Sequence, residues 1–206
     1  MQFIEEIQEQ YKLRGKAIET RLREFTRVPQ TEYFYELAYC LLTPQTSAIH
    51  AGRVIGELKK NDFQYSDIHP GIFLCRKEHY IRFHNMKSGY LVAMKKQYPE
   101  LYKIILSTIS PDALREELIA RITGMGYKEA SHFLRNIGKR NLAILDRHIL
   151  KNLVRCGVIQ SVPKTLSQKL YLEIEQKFLQ FAEQIKIPMD ALDLLFWSME
   201  TGMILK

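Results

Sequence analysis

Residues 122 to 138 read Ile-Thr-Gly-Met-Gly-Tyr-Lys-Glu-Ala-Ser-His-Phe-Leu-Arg-Asn-Ile-Gly, and Ala143-Ile-Leu-Asp-Arg-His-Ile149 follows shortly after. Gly124 and Gly126 let the backbone turn tightly and approach another molecule closely, which residues with a Cβ resist. Ser110-Pro111 upstream has the composition of a helix start, and a second helix is predicted to begin near Tyr127. At about 100° per residue, Ala130, Phe133, Leu134 and Ile137 gather on one side of that helix and Lys128, His132 and Arg135 on the other. The stretch therefore predicts helix, glycine turn, helix. Its apolar side packs and its basic side looks outward, with exposed amides and a positive dipole end suited to a phosphate. A solvated basic face is the plain alternative.

Outward from this segment, apolar residues recur at helical spacing almost everywhere, beginning with Phe3, Ile4, Ile7, Tyr11, Ile18, Leu22 and Phe25 in an opening helix. Further helices are predicted near 31–43, 46–60, 78–97, 99–107, 111–121, 126–137, 146–156, 164–184 and 188–204, with Leu192, Leu195, Phe196, Met199 and Met203 of the last facing a core. Val28-Pro29, Asn61-Asp62, His69-Pro70-Gly71, Ser110-Pro111, Val162-Pro163 and Ile187-Pro188 punctuate them. No strand pattern, repeat period or long linker is visible, so the fold class is all-α.

The 206 residues, 46% hydrophobic and 26% charged, suit a folded chain with one or two cores. Three widely spaced cysteines, Cys40, Cys75 and Cys156, build neither a disulfide framework nor a four-thiolate cluster within one chain. No apolar run spans a bilayer and Met1-Gln-Phe-Ile-Glu-Glu has the wrong charges for a signal peptide, so a cytoplasmic protein with no membrane partner is expected. A net charge of +7 with a pI near 9.2 is permissive for polyanions without identifying one.

The glycine turn, Lys128 and the downstream Asp146 resemble the helix-hairpin-helix segment and aspartate of the bifunctional base-excision DNA glycosylases. Leu41-Leu42-Thr43-Pro44-Gln45 resembles that family's Leu-Leu-Ser-x-Gln segment. Together with Trp197 and the terminal Lys206, these residues resemble the type-2 (archaeal-type) 8-oxoguanine DNA glycosylase/AP lyases. The resemblance covers nearly the whole chain. It implies two helical lobes with a cleft between them: a central domain over 26–139 containing the hairpin, and a second domain from 1–25 plus 140–206.

What the resemblance implies for residues is specific. Lys128 would be the amine nucleophile and Asp146 its electrostatic and proton-transfer partner, although Asp146 also has the features of a simple helix N-cap. Gln45 would plug the space vacated by the extruded base. Phe83, next to Arg82 and Lys87, would wedge at the estranged base, with a core role as the alternative. Trp197 would stack on the base and Asp193, four residues earlier on a face turned from the core, would accept a hydrogen bond from its Watson–Crick edge; a Trp that merely closes the domain is the alternative. Lys206 would help distinguish oxidised guanine. Gly124, Gly126, Arg82, Lys87, His132 and Arg135 would meet the DNA backbone. No metal or redox cofactor is implied, apart from a monovalent cation on the hairpin carbonyls. The expected partner is double-stranded DNA containing oxidised guanine, met by a monomer. A noncatalytic DNA-holding hairpin protein, a helical interaction module and a glycosylase for another damaged base are the rival readings.

Overall fold

The computed structural model describes residues 2–204. Among them are ten α-helices, two short 3₁₀ turns and no strand. The helices are α1 (Gln2–Phe25), α2 (Tyr33–Leu42), α3 (Ala48–Lys60), α4 (Gly71–Leu74), α5 (His84–Ile105), α6 (Pro111–Arg121), α7 (Tyr127–Asn136), α8 (Arg147–Arg155), α9 (Gln168–Ile185) and α10 (Met189–Thr201). No helix among the described residues is long and apolar enough to cross a membrane.

The helices fall into two compact units, one of Met1–Val28 with Leu134–Lys206 and one of Pro29–Phe133. In the first, Ile7, Ile18 and Leu22 of α1, Ile149 and Leu153 of α8, Phe178 of α9 and Leu192, Leu195 and Phe196 of α10 are buried, and Phe178 stacks on Phe196 at 6.0 Å. Each such side chain contributes about 1.5–3 kcal/mol by leaving water. Arg14 ties α1 to α10 by donating from Nη1 to Ser198 O at 2.8 Å and Oγ at 3.1 Å. In the Pro29–Phe133 unit, Phe34 of α2 is fully buried and meets the rings of Phe63 at 5.9 Å and Tyr98 of α5 at 4.9 Å.

Several element boundaries differ from those predicted. One helix, α5, replaces the two expected at 78–97 and 99–107, with Pro99 inside it. A proline removes a helix hydrogen bond and crowds the preceding turn, yet Leu91, Met94, Tyr98, Leu101 and Ile105 line one buried face on both sides of Pro99 and keep the helix going. Its start is delayed to His84 because Phe83 is left-handed, at φ 60°. The short α4 was not foreseen. Met203, expected in the core, is exposed just past Gly202, where the left-handed cap of α10 turns the chain away.

Candidate active site

The hairpin is built from α6, the Ile122–Gly126 turn and α7. Ser110 caps α6 with Oγ accepting from Ala113 N at 3.2 Å, and Pro111 follows at the first helical position. Gly124 adopts φ 87°, and a Cβ there would lie 2.3 Å from the Tyr90 ring of α5; the turn is seated on that ring. Arg115 of α6 is 1% exposed and crosses to α7, donating to Ser131 Oγ at 3.2 Å with its guanidinium 5.2 Å from the Tyr127 ring centroid. The two helices are thereby locked at fixed spacing.

Lys128 occupies the first turn of α7, with its side chain 27% exposed and Nζ 3.1 Å from Glu129 Oε1. The other Glu129 oxygen, Oε2, accepts from Gly126 N at 3.2 Å. One carboxylate thus satisfies an orphan amide at the helix start and stands beside the amine, where it can take up a proton that the amine sheds. Sequence reading passed over Glu129. The Gly126-x-x-Glu129 spacing, the acidic half of a capping box, was the signal.

Asp146 lies in the other unit, at the N-cap of α8. Its Oδ1 accepts from His148 N at 2.7 Å and Ile149 N at 2.9 Å, so both cap bonds use one oxygen and Oδ2 takes no part in the cap. The approach to Asp146 is a buried non-helical strip, Leu142–Leu145, with three of its backbone groups bonded from α9. Glu175 Oε2 accepts from Ala143 N at 2.6 Å, and the Tyr171 hydroxyl donates to Ala143 O at 2.6 Å and accepts from Leu145 N at 3.2 Å. Four apolar residues in a row had no helical period to reveal this arrangement.

The residues expected to extract and hold a base fare differently. Gln45 is exposed at the tip of the α2–α3 loop with φ 53°. Phe83 is 44% exposed, so it is no core residue, and the Arg82 guanidinium lies 4.8 Å from its ring centroid. Trp197 is half-buried. Lys206 lies outside the described residues.

Four expectations need correction. Lys87, expected at a phosphate, is 3% exposed, and Nζ donates to Leu42 O at 2.7 Å, Pro44 O at 2.6 Å and Thr46 Oγ1 at 3.0 Å. His132 and Arg135, placed on an outward basic face, are also buried. His132 packs edge-on against Tyr39 at 5.8 Å, while Arg135 pairs with Asp193 Oδ1 at 2.6 Å and lies over Phe25 at 5.2 Å. Asp193, read on a face turned from the core, is therefore a buried partner of Arg135. Burial raises its carboxyl to about 7 against the opposing pull of Arg135, with the carboxylates of Asp146 and Asp190 adding to the rise. In each case an acceptor, donor or ring distant in sequence made burial of a polar group affordable.

Known proteins match this architecture along its whole length. The profile of the family described as 8-oxoguanine DNA glycosylase matches residues 18–187. An 8-oxoguanine DNA glycosylase/AP lyase of Fusobacterium nucleatum subsp. nucleatum is 42% identical, over 100% of this chain and 98% of its own. A crystal structure of the Methanocaldococcus jannaschii 8-oxoguanine glycosylase/lyase in complex with 15mer DNA containing 8-oxoguanine superposes over 100% of both chains, with a TM-score of 0.90 and 33% identity. That of the Thermotoga maritima 8-oxoguanine DNA glycosylase gives a TM-score of 0.88 at 30% identity, over 100% of this chain and 99% of that one. A hairpin with a lysine in its second helix, on an all-helical frame shared from end to end with these proteins, has one consistent assignment: the chain belongs to the archaeal-type 8-oxoguanine DNA glycosylase/AP lyase family of helix-hairpin-helix glycosylases.

Proposed function

We propose that this protein removes 8-oxoguanine from duplex DNA and then nicks the strand through a Schiff base on Lys128. The observation that carries the reading is the position of the amine: first turn of α7, partly shielded, with Glu129 Oε1 at 3.1 Å. A lysine reacts as the free amine, and Glu129 stands where it can take up the proton that the ammonium must lose.

The Lys128 amine forms a bond to C1′ of the damaged nucleotide as the glycosidic bond breaks, its electron pair and a proton leaving with the base. Opening of the sugar ring gives the iminium. Loss of a C2′ proton then expels the 3′ phosphate and cuts the strand, and water hydrolyses the imine to free the lysine. Asp146 serves these steps by stabilising positive charge on the sugar and by moving protons to and from the amine. Gln45 and Phe83 are the exposed side chains assigned to the vacated space and the estranged base, and Trp197 is assigned to the base itself. The monovalent cation that the family resemblance implies would sit on the Ile122–Gly126 carbonyls. Neutral oxygens on a left-handed turn suit a hard cation of low charge, which would add attraction for a phosphate.

The test is incubation with duplexes carrying 8-oxoguanine, thymine glycol or no lesion, with and without borohydride. Strand cleavage and a reduced covalent adduct are expected on the 8-oxoguanine duplex alone. Salt-sensitive binding of all three without cleavage would instead support a noncatalytic hairpin protein.

A further inference from the structure

Lys87 is a charge where charges are rarely found: on α5, one turn past Phe83, at 3% exposure. Its ammonium has three protons and meets three acceptors, Leu42 O, Pro44 O and Thr46 Oγ1, all within 3.0 Å. Those acceptors flank Gln45 on both sides. The loop is closed further by Thr46 N donating to Thr43 O at 3.0 Å. Gln45 itself is exposed and left-handed, at φ 53°. A non-glycine residue in that region persists when its surroundings over-determine it.

Lys87 also lies one helical turn from a second left-handed residue. Its backbone N–H donates to Phe83 O at 3.0 Å, and Phe83 is also exposed and left-handed, at φ 60°. That main-chain bond is the first of α5 and forms whatever side chain stands at 87, so it is the Lys87 side chain that ties the Gln45 bend to the helix turn beginning at Phe83. Burial, and the neighbouring ammonium of Lys128, hold the Lys87 ammonium down to about 8. The charge is thus kept in place at a cost that an apolar side chain would avoid.

We propose that Lys87 is a positioning residue for lesion extrusion: it yokes the Gln45 bend to the Phe83 bend so that both side chains meet the duplex as a preset pair. This rests on the glycosylase reading above and deepens it. A yoke matters only when a base must be unpaired and its space filled. It does not matter when the lesion is already out of the stack.

Single-turnover excision by wild type, Lys87→Met and Thr46→Val is compared on two substrates: an 8-oxoguanine paired in a duplex, and the same lesion in a mismatched bubble flanked by duplex. Misplacing the pair is expected to lower the paired-lesion rate on the order of a hundredfold in Lys87→Met. Thr46→Val, which removes one acceptor, lowers it several-fold. The bubble rate falls much less in both. Gln45→Ala slows the paired substrate too, and combining it with Lys87→Met adds little further loss. Equal losses on the two substrates, or full additivity with Gln45→Ala, would overturn the proposal and place Lys87 in the chemistry or the general fold. Should Lys87→Met melt below the assay temperature, the paired-to-bubble ratio of Thr46→Val decides alone. Wild type inactive on both substrates would remove the glycosylase reading itself, an outcome distinct from any failure of the yoke.

Discussion

At Asp146 both cap bonds to α8 fall on one carboxylate oxygen, Oδ1, while Oδ2 is outside the cap. Asn keeps an acceptor at Oδ1, so Asp146→Asn is expected to melt within about 1 kcal/mol of wild type. Its excision rate is expected to drop about a hundredfold to a thousandfold, from loss of the negative charge. Thermal melting beside single-turnover kinetics checks this, and full activity would leave Asp146 as a cap alone. At this scale the placement of Lys128 in the first turn of the hairpin's second helix and of Asp146 at a helix N-cap was legible, because a glycine turn and a capping carboxylate mark helix starts locally. The placements of Lys87, Arg135 and Asp193 were not. A helical wheel puts cations opposite apolar residues and reads them as solvated, but Lys87 finds its acceptors 45 and 43 residues away and Arg135 its carboxylate 58 away. Only the fold supplies those partners.

The hairpin works as an element because its turn is fixed from both sides. Glu129 holds Gly126 N, Arg115 bonds Ser131 across from α6 to α7, and the Tyr90 ring fills the space where a Cβ at Gly124 would be. Gly124→Ala therefore meets both a 2.3 Å clash and a left-handed backbone, and the turn must shift. Strain of about 1–3 kcal/mol is expected, weakening binding to damaged and undamaged duplex alike by roughly fivefold to a hundredfold. Fluorescence anisotropy at fixed salt reads it; unchanged affinity for both duplexes would mean that this turn does not grip the backbone. Most helices were legible in the apolar period. The exceptions have physical causes: a left-handed Phe83 that delays α5, a buried face that carries α5 past Pro99, and an apolar strip at Leu142–Leu145 with three backbone groups bonded by Tyr171 and Glu175. None of these leaves a periodic trace.

Across the whole molecule, a +7 chain gives polyanion attraction without selectivity. Of the residues to which the proposed function assigns selectivity and chemistry, the Pro29–Phe133 unit carries Lys128, Gln45 and Phe83, and the unit of Met1–Val28 with Leu134–Lys206 carries Asp146 and Trp197. The all-helical class could be read from periodicity alone, whereas the activity became legible through resemblance of the hairpin and the Gln45 segment to one family. The central claim is that the Lys128 amine becomes covalently joined to deoxyribose. Borohydride reduction of wild type and Lys128→Gln on an 8-oxoguanine duplex, followed by mapping of the cross-linked peptide, tests it most directly. The account predicts DNA on the peptide containing Lys128 in wild type and no adduct in the variant; an undiminished adduct in Lys128→Gln, or one mapped to another lysine, would contradict it.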